Sequence, residues 1–467
     1  MSGKRAQDSV DERFVDERGN IHYLKDELAR GGQGVVYRTG DPDLAIKQPL
    51  DGNGNPDTST DVRSTFSRVR TLCLPKDIPI SLPLVILRDK PGYVMKLLDG
   101  MKSFGGFFLD GVQREELTSK EFPEWLTGIP DRKFAQDLLY YAQTGATRSR
   151  LYALYKCAAI LARLHNSGIV YGDVSVNNVF IDENIFKGDG FPCRCSLIDA
   201  DNLRLEIKTG GRTVYTPHLG APEIVQGKDA SRPRTDCWAF SVMAFQMLAL
   251  CHPFIGKKVL EPDDDAGWDA DPPADGMPAD PDEQAYAGYL PFVDDQDDDS
   301  NALPGGGLPR MLVLTPQLQK LFQATFGIGR VRPHQRPSMM FWANELARAF
   351  DCSIVCPSCG MSYFSTPDFE NCPYCQRQRP SFVIAKTKRG RMNLLGRGNG
   401  TFEATLPHRL FHPFSLAEGD NSEYEVEVDL VRKRVLPVRG TRKFPDDLEF
   451  EFINEGEMVA SETEDGK

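Results

Sequence analysis

Hydrophobic and polar positions alternate with two different periods along this chain. Between residues 21 and 97, short runs rich in β-branched and aromatic side chains predict strands at Ile21–Glu27, Gly34–Tyr37, Leu44–Gln48, Leu84–Arg88 and Gly92–Leu97. Elsewhere, apolar residues recur at helical spacing and predict helices at Asp61–Leu72, 148–166, Thr235–Leu250, Thr315–Phe326 and Pro337–Phe350. From about Ser381 the pattern favours strands again. The predicted fold class is therefore α+β.

Length and charge narrow the interpretation. A chain of 467 residues, with 40% hydrophobic and 26% charged residues, is typical of a folded protein with two or three domains. Residues 261–300 hold 13 Asp and 2 Glu without Lys or Arg, so this block carries −15 while the whole chain carries −12. The remainder is thus slightly basic, at +3. Because residues 261–308 are also rich in proline and glycine, we expect an acidic loop or insertion there.

The cellular setting is inferred from apolar content and cysteine spacing. The N-terminus lacks the apolar stretch of a signal peptide, and the most apolar window, Trp238–Phe254, is shorter than a membrane span. Four of the 11 cysteines form two C-x-x-C pairs, which favours a metal site in a reducing compartment over a disulfide framework. We therefore expect a cytoplasmic protein without a membrane segment.

A glycine-rich segment offers the first candidate site. Gly31, Gly32 and Gly34 lie between two predicted strands, where backbone N–H groups can approach the phosphates of a nucleotide. Thirteen residues after Gly34, Lys47 ends a short apolar strand and supplies a positive charge. A glycine-rich hairpin alone is a weak indication of nucleotide binding, so the rest of the chain has to support it.

The segment GIVYGDVSVNNVFID supplies that support. Its Asp173 and Asn178 are five residues apart in a loop flanked by β-like runs, and Asp199 follows an apolar strand some 20 residues later. With the glycine loop and Lys47, these residues resemble the nucleotide and catalytic segments of protein kinases. The motifs Gly220 to Glu223, Thr235 to Ser241 and Arg336 to Ser338 extend the resemblance over roughly residues 22–350.

The resemblance is to divergent bacterial serine/threonine kinases of the eukaryotic-like (Hanks-type) group. It implies a flexible N-terminus at 1–18 and a bilobal kinase domain at 19–350, with an N-lobe at 19–98 and a C-lobe at 99–350. It also implies a buried ion pair between Glu223 and Arg336, and a bracing contact from Asp236 to the catalytic loop.

The chemistry implied is transfer of the γ-phosphate of ATP to serine or threonine hydroxyls of proteins. Asp173 would accept the proton of the hydroxyl, while Asn178 and Asp199 would hold Mg²⁺ or Mn²⁺. The residues expected to contact ATP are Gly31, Gly32, Gly34, Val36, Ala45, Lys47, Met95 and Leu97. Candidate autophosphorylation sites are Thr213 and Thr216.

Departures from the kinase pattern keep two alternatives open. Y-G-D at 171–173 replaces H-R-D, D-A-D at 199–201 replaces D-F-G, and Ala29 replaces the first loop glycine. No Glu lies between 48 and 114 to orient Lys47, which leaves Asp61 or Asp199 for that task. A pseudokinase that serves as an ATP-binding scaffold is one alternative. A small-molecule phosphotransferase, whose H-G-D loop the Y-G-D segment resembles, is the other.

Two further units are predicted behind the kinase-like region. Cys356, Cys359, Cys372 and Cys375 form two C-x-x-C knuckles 12 residues apart, which predicts a structural Zn²⁺ site in a ribbon at 352–380. Redox use of the pairs is the weaker alternative. A small β-rich domain is predicted at 381–467, and its basic segment 386–400 favours a solvated or partner-binding face over a nucleic-acid surface.

The resemblance also implies partners. Protein substrates come first, because the chemistry requires them. Some bacterial kinases of this kind work beside a protein phosphatase and a von Willebrand-type domain protein, and such partners are implied here by analogy alone.

Overall fold

The computed structural model combines helices with several small sheets, which confirms the mixed α+β class. It describes residues 13–31, 34–51, 53–88, 90–118, 120–188, 191–206, 215–261, 277–366, 369–396, 398, 400–412, 420–438 and 443–454.

A six-stranded antiparallel sheet in the order β1-β2-β3-β4-β6-β5 forms the N-terminal part. Its strands are β1 (Arg13–Val15), β2 (Ile21–Gly31), β3 (Gly34–Thr39), β4 (Leu44–Pro49), β5 (Val85–Ile86) and β6 (Tyr93–Lys96). Successive residues of β4 face opposite sides of the sheet. Ile46 therefore joins one apolar cluster with Val94, while Ala45 joins another with Met95.

The first strand corrects the predicted N-terminus. Residues 1–18 were expected to be flexible, but β1 pairs with β2 in antiparallel register. Phe14 on β1 is only 3% exposed and packs in the same cluster as Ile46. Strand pairing, Phe14 and the buried Asp16 hold this segment on the sheet, so the expectation is wrong for residues 13–18. Residues 1–12 lie outside the described part of the chain.

Helices dominate the region from residue 111 to residue 352. With the helix that precedes β5, they are α1 (Thr60–Arg70), α2 (Gly111–Thr118), α3 (Arg132–Gln143), α4 (Ala146–Asn166), α5 (Pro222–Val225), α6 (Pro233–Ala249), α7 (Lys257–Leu260), α8 (Pro281–Tyr286), α9 (Arg310–Val313), α10 (Pro316–Phe326), α11 (Ile328–Val331) and α12 (Met339–Cys352). α4 and α6 are buried along most of their length, because apolar residues surround nearly the whole of each helix. α4 packs against both α6 and α12.

Five short strands hold the loops between these helices. They are β7 (Met101–Ser103), β8 (Ile169–Val170), β9 (Val179–Asp182), β10 (Cys195–Leu197) and β11 (Arg204–Leu205). They pair as one sheet in the order β10-β9-β7 and another in the order β11-β8. The loop from 171 to 178 is therefore fixed at both ends, by β8 before it and by β9 after it.

Part of the segment at 261–308, which is predicted to be an acidic loop or insertion, is packed against the helices. Phe292 is 1% exposed, and its ring lies 5.2 Å from that of Phe245 and 5.0 Å from that of Phe326. Asn301 is fully buried and donates to the carbonyl of Phe254 at 3.0 Å. The block therefore contributes aromatic and aliphatic residues to the core alongside its charges. Residues 262–276 lie outside the described chain.

The C-terminal part is made of strands. A hairpin of β12 (Ser353–Val355) and β13 (Ser362–Phe364) follows α12 directly. The remaining strands are β14 (Phe382–Lys386), β15 (Arg391–Leu394), β16 (Thr401–Pro407), β17 (Ser422–Asp429), β18 (Arg434–Pro437) and β19 (Glu449–Ile453). They form two three-stranded sheets, β15-β14-β19 and β16-β17-β18, around a shared apolar core.

Buried charges join these C-terminal sheets to the helices. Arg409 donates to Asp351 of α12 at 2.7 Å and to Asp420 at 2.6 Å. Asp420 in turn accepts from Lys156 at 2.6 Å and from the hydroxyl of Tyr152 at 2.9 Å, both on α4. The side chains of Arg409 and Asp351 are 9% and 8% exposed. We call these five residues the junction network.

Candidate active site and metal centre

Lys47 is held by two carboxylates. It lies on β4 with its side chain 8% exposed, contacts the carboxylate of Asp199 directly and lies 2.8 Å from that of Asp201. Burial disfavours the charged amine, but the neighbouring acidic groups of Tyr93, Asp201 and Asp199 outweigh it and raise the pKa of Lys47 well above its ordinary value. Lys47 is therefore positively charged at neutral pH.

The structure assembles the apolar residues that were predicted to contact a nucleotide base. A cluster next to Lys47 contains Val36, Ala45, Phe66, Ile86, Tyr93, Met95 and Leu97. Four of these seven were predicted from the sequence. The backbone N–H of Leu97 donates to the carbonyl of Asp43 at 2.8 Å, so Leu97 can offer a ligand its side chain but not this N–H group.

Gly34 on β3 lies close to the side chain of Lys47. A Cβ atom at Gly34 would lie 2.9 Å from the carbonyl oxygen of Gln48 and 3.2 Å from Cε of Lys47. Only glycine allows β3 to approach β4 this closely at that point. Gly31 pairs with Gly34 at the end of β2, and Gly32 lies outside the described residues.

Asp173 sits in the loop between β8 and β9, where two side chains fix its carboxylate. Thr216 donates to Oδ1 at 2.7 Å, and the amide Nδ2 of Asn178 donates to Oδ2 at 2.9 Å. Burial raises the pKa of Asp173 above its usual value, although these hydrogen bonds oppose the change. Because Asn178 uses its Nδ2 on Asp173, its amide oxygen remains available to a cation.

Asp236 at the start of α6 holds the backbone of the same loop. Its carboxylate accepts the N–H of Tyr171 at 2.8 Å and the N–H of Gly172 at 2.9 Å. His165 lies 3.0 Å from the same carboxylate. Gly172 has a φ of 86°, a left-handed conformation that glycine adopts without strain. The buried carboxylate of Asp236 therefore fixes the backbone of the loop.

The remaining residues predicted from the sequence are the Glu223–Arg336 pair, the two candidate phosphorylation sites and Asp61. Glu223 on α5 pairs with Arg336, with the two guanidinium nitrogens 2.7 and 2.8 Å from the carboxylate oxygens. Thr216 lies against Asp173, whereas Thr213 lies outside the described residues. Asp61 belongs to α1, and its side chain is not among those described.

Asp201 was missed by the sequence analysis. Its carboxylate reaches Lys47 from the segment that carries Asp199, and α1 contacts this segment through Arg68, which donates to the carbonyl of Leu203 at 2.6 Å. The signal was present as the second aspartate of D-A-D. The kinase pattern directed attention to Asp61 and Asp199 as partners of Lys47, and it assigns no such role to the third position of D-A-D.

Four cysteine sulfurs form a candidate metal centre. Those of Cys356, Cys359, Cys372 and Cys375 all lie within 4.8 Å of one another. The pairs Cys356–Cys375 and Cys359–Cys372 are 3.5 and 3.7 Å apart. Four thiolates bound to Zn²⁺ at about 2.3 Å would lie roughly 3.8 Å from one another, so the cluster has the size of a tetrahedral zinc site. The prediction that these cysteines gather is confirmed.

The known proteins to which the chain is similar are protein kinases. No protein-family model matches the chain. It is 25% identical over 253 residues to the serine/threonine-protein kinase PknD of Chlamydia pneumoniae, covering 50% of this chain and 24% of that protein. It is 32% identical over 195 residues to the atypical protein kinase C of Drosophila melanogaster, covering 37% and 30%.

A third relative is the protein kinase C-like 1 of Candida albicans, 32% identical over 124 residues, which are 26% of this chain and 11% of that protein. All three are protein kinases. The aligned parts span between about a tenth and a third of these relatives' lengths. Among the described helices, none has both the length and the apolar composition needed to cross a membrane.

Proposed function

We propose that the chain is an ATP- and magnesium-dependent protein kinase that phosphorylates serine and threonine, its own residues included. The observation that carries the proposal is the convergence of Lys47, Asp173 and Asn178 with Asp199, from three separate segments, beside an apolar cluster of the kind that accepts a purine. The similarity to protein kinases supports the same activity. The bilobal kinase fold is part of the proposal, with the six-stranded sheet and α1 as the N-lobe and the helical region as the C-lobe.

Each residue has a task in this mechanism. Lys47 and the glycine loop bind the phosphates, and Val36, Ala45 and Met95 cover the base. Asp173 orients the acceptor hydroxyl and takes its proton late in the transfer, because the transition state is loose and the attacking oxygen gains little charge early. Thr216 and Asn178 keep the Asp173 carboxylate in one orientation, so that the acceptor hydroxyl meets it in an aligned geometry.

The donors present fit magnesium. The carboxylate of Asp199 and the amide oxygen of Asn178 are hard oxygen ligands, which Mg²⁺ prefers together with phosphate oxygens. When bound, the ion would neutralise charge on the phosphates. Asp199 has a φ of 54°, and this turn directs its carboxylate toward the side of Lys47.

The test is phosphate transfer from radiolabelled ATP with Mg²⁺ or Mn²⁺ to a generic protein substrate and to the chain itself. Asp173→Asn should abolish labelling, because it removes the proton acceptor and keeps the side-chain volume. Asp77→Asn is the matched control, since Asp77 is 84% exposed and lies outside the site. Phosphoamino-acid analysis should find phosphoserine and phosphothreonine.

Other outcomes would decide against the proposal. ATP binding without any transfer would favour the pseudokinase scaffold, and transfer to choline or aminoglycosides but not to proteins would favour a small-molecule phosphotransferase. We further propose that the cysteine cluster holds a structural Zn²⁺, because four thiolates leave no open position for chemistry. Thiolates stay available to zinc in a reducing compartment, so the proposal includes a cytoplasmic setting.

A further inference from the structure

The second carboxylate that contacts Lys47 is that of Asp201, which the sequence analysis did not identify. α1 is the helix beside Lys47, yet among the described side chains the acidic partners of Lys47, Asp199 and Asp201, both belong to the segment after β10. Lys47 is 8% exposed and Asp201 20% exposed, so the pair is largely shielded from water. Leaving either charge of a shielded pair without its partner is costly, and this restrains both side chains.

The surroundings restrict this pair further. Tyr93 is opposite Lys47 in the pairing of β4 with β6 and is completely buried. Its ring packs edge-to-face on Phe66 of α1, with the centroids 4.5 Å apart. These two buried aromatic side chains therefore lie between the strand position of Lys47 and α1.

α1 is attached to the same segment by hydrogen bonds from one of its side chains to backbone carbonyls of the segment. Arg68 in the last turn of α1 donates to the carbonyl of Leu203 at 2.6 Å and to that of Asp201 at 3.4 Å. Elsewhere Arg63 binds the carbonyl of Leu87 at 2.8 Å, and Arg70 binds Glu17 at 2.6 Å. The last turn of α1 thus contacts both the Asp201 segment, through Arg68, and Glu17, through Arg70.

We propose that Asp201 is the positioning residue of Lys47, and that Arg68 of α1 holds Asp201 in place through the backbone. The inference deepens the proposed kinase function and rests on it for its catalytic meaning. Asp199 then shares the restraint of Lys47 with Asp201, so that it can turn an oxygen to a cation without releasing the lysine. A displacement of α1 would reach Lys47 through Arg68 and the Asp201 segment.

The first experiment measures Lys47 itself and needs no activity. The rate at which an amine-specific reagent acetylates Lys47 is followed by peptide mass spectrometry, because the ion pair keeps the amine charged and covered. Asp201→Asn should raise this rate about tenfold, and Arg68→Gln roughly threefold, as expected for loss of a hydrogen bond. Lys76 and Lys102, 93% and 64% exposed, serve as internal references that should not change.

Asp43→Asn is the matched control, because Asp43 is an exposed aspartate in the turn before β4 and should leave the Lys47 rate unchanged. Arg68 is exposed on α1, so Arg68→Gln keeps the inference testable even if Asp201→Asn unfolds the chain. Unchanged labelling of Lys47 in Arg68→Gln and in a folded Asp201→Asn overturns the inference, whether or not the chain is a kinase.

The second experiment connects the restraint to catalysis. If the wild-type chain transfers phosphate, Asp201→Asn should lower kcat/KM for ATP by about 10- to 100-fold, because a displaced Lys47 misaligns the phosphates. A fluorescent ADP analogue should also bind more weakly to the variant. Increased labelling of Lys47 with unchanged kcat/KM and nucleotide affinity would contradict the positioning role. Failure of the wild type to transfer phosphate would count against the proposed function and leave the labelling result decisive for the pair.

Discussion

Arg336 and Glu223 join two parts of the chain that are 113 residues apart, through two parallel hydrogen bonds of 2.7 and 2.8 Å. The Arg336 side chain is completely buried, and its guanidinium group lies 4.8 Å above the ring of Trp238 on α6. The same group donates to the carbonyl of Gly329. The pair thus fixes α5, next to the Asp173 loop, to the helices that end this part of the fold.

Breaking this pair should be costly. Glu223→Gln is expected to lower the free energy of unfolding by about 3 to 5 kcal/mol, because it leaves a buried guanidinium without its counter-charge. The measurement is urea unfolding followed by circular dichroism. The exposed pair Asp229–Arg232 is the control, and Asp229→Asn should cost less than about 1 kcal/mol. Equal losses in both variants would refute the special role of Glu223.

The His165–Asp236 contact predicts a dependence of stability on pH. Burial alone would lower the pKa of His165, but hydrogen bonds to Asp236 and Cys237 outweigh it and raise the pKa from 6.5 to about 9. A raised pKa means that the folded state holds the proton more tightly. The stabilisation, ~3 kcal/mol, is therefore complete below pH 6.5 and disappears as the pH rises to about 9.

His165→Gln tests this prediction. The wild type should exceed the variant in unfolding free energy at pH 6 and lose that advantage by pH 9, as measured by urea unfolding at each pH. A direct NMR titration of the His165 ring should give a pKa near 9. A constant difference between the two proteins over this range, or a ring that titrates near 6.5, would contradict the assignment.

The cysteine cluster predicts a metal content. Purified chain should contain about one Zn²⁺ per molecule, and Cys359→Ser should lose most of it, because three ligands hold structural zinc poorly. Atomic emission spectroscopy gives the content, and a colorimetric chelator gives the rate of release. Cys73→Ser is the control, since Cys73 is exposed and lies outside the cluster. Full zinc content in Cys359→Ser would rule out this site.

Gly34 predicts a steric effect on nucleotide binding. Gly34→Ala would bring Cβ to 2.9 Å from the carbonyl of Gln48 and should shift Lys47, lowering phosphate transfer by roughly tenfold to a hundredfold. Gly40→Ala, directly after β3, is the control, because its Cβ would meet nothing closer than 3.9 Å. ATP titration of both variants separates weaker binding from slower chemistry. Similar activity in the two variants would show that β3 can adjust.

Five of the six described helices that are 11 residues or longer could be predicted, because their apolar periodicity is a local property. The helix expected at Thr235–Leu250 is found at Pro233–Ala249, and the one expected at Asp61–Leu72 at Thr60–Arg70. α3 was missed, although Asp131 caps its N-terminus by accepting from the N–H groups of Lys133 and Phe134. The buried residues Ala135, Leu138, Leu139 and Tyr141 follow helical spacing in α3, so the signal was present in the sequence and was passed over.

The candidate site was predictable in its residue types but not in its contacts. Motif spacing identified Asp173, Asn178 and Asp199, because their order along the chain follows a known pattern. It could not show that Asp201 reaches Lys47, since the two lie 154 residues apart and two neighbouring aspartates look equivalent in sequence. Phe14 shows the same limit for the fold, because one buried aromatic residue on a polar segment has no periodic signature.

The junction network has a consequence for protein engineering. If the C-terminal sheets were transplanted onto another protein, Arg409 and Asp420 would travel without Asp351 and Lys156, which belong to the helices. Arg409 and Asp420 would still pair with each other, but Asp351 and Lys156 would each lose the oppositely charged group that they contact across the cut. The C-terminal sheets therefore cannot be transferred alone. Any chimera has to keep them together with the faces of α4 and α12 that carry Lys156 and Asp351.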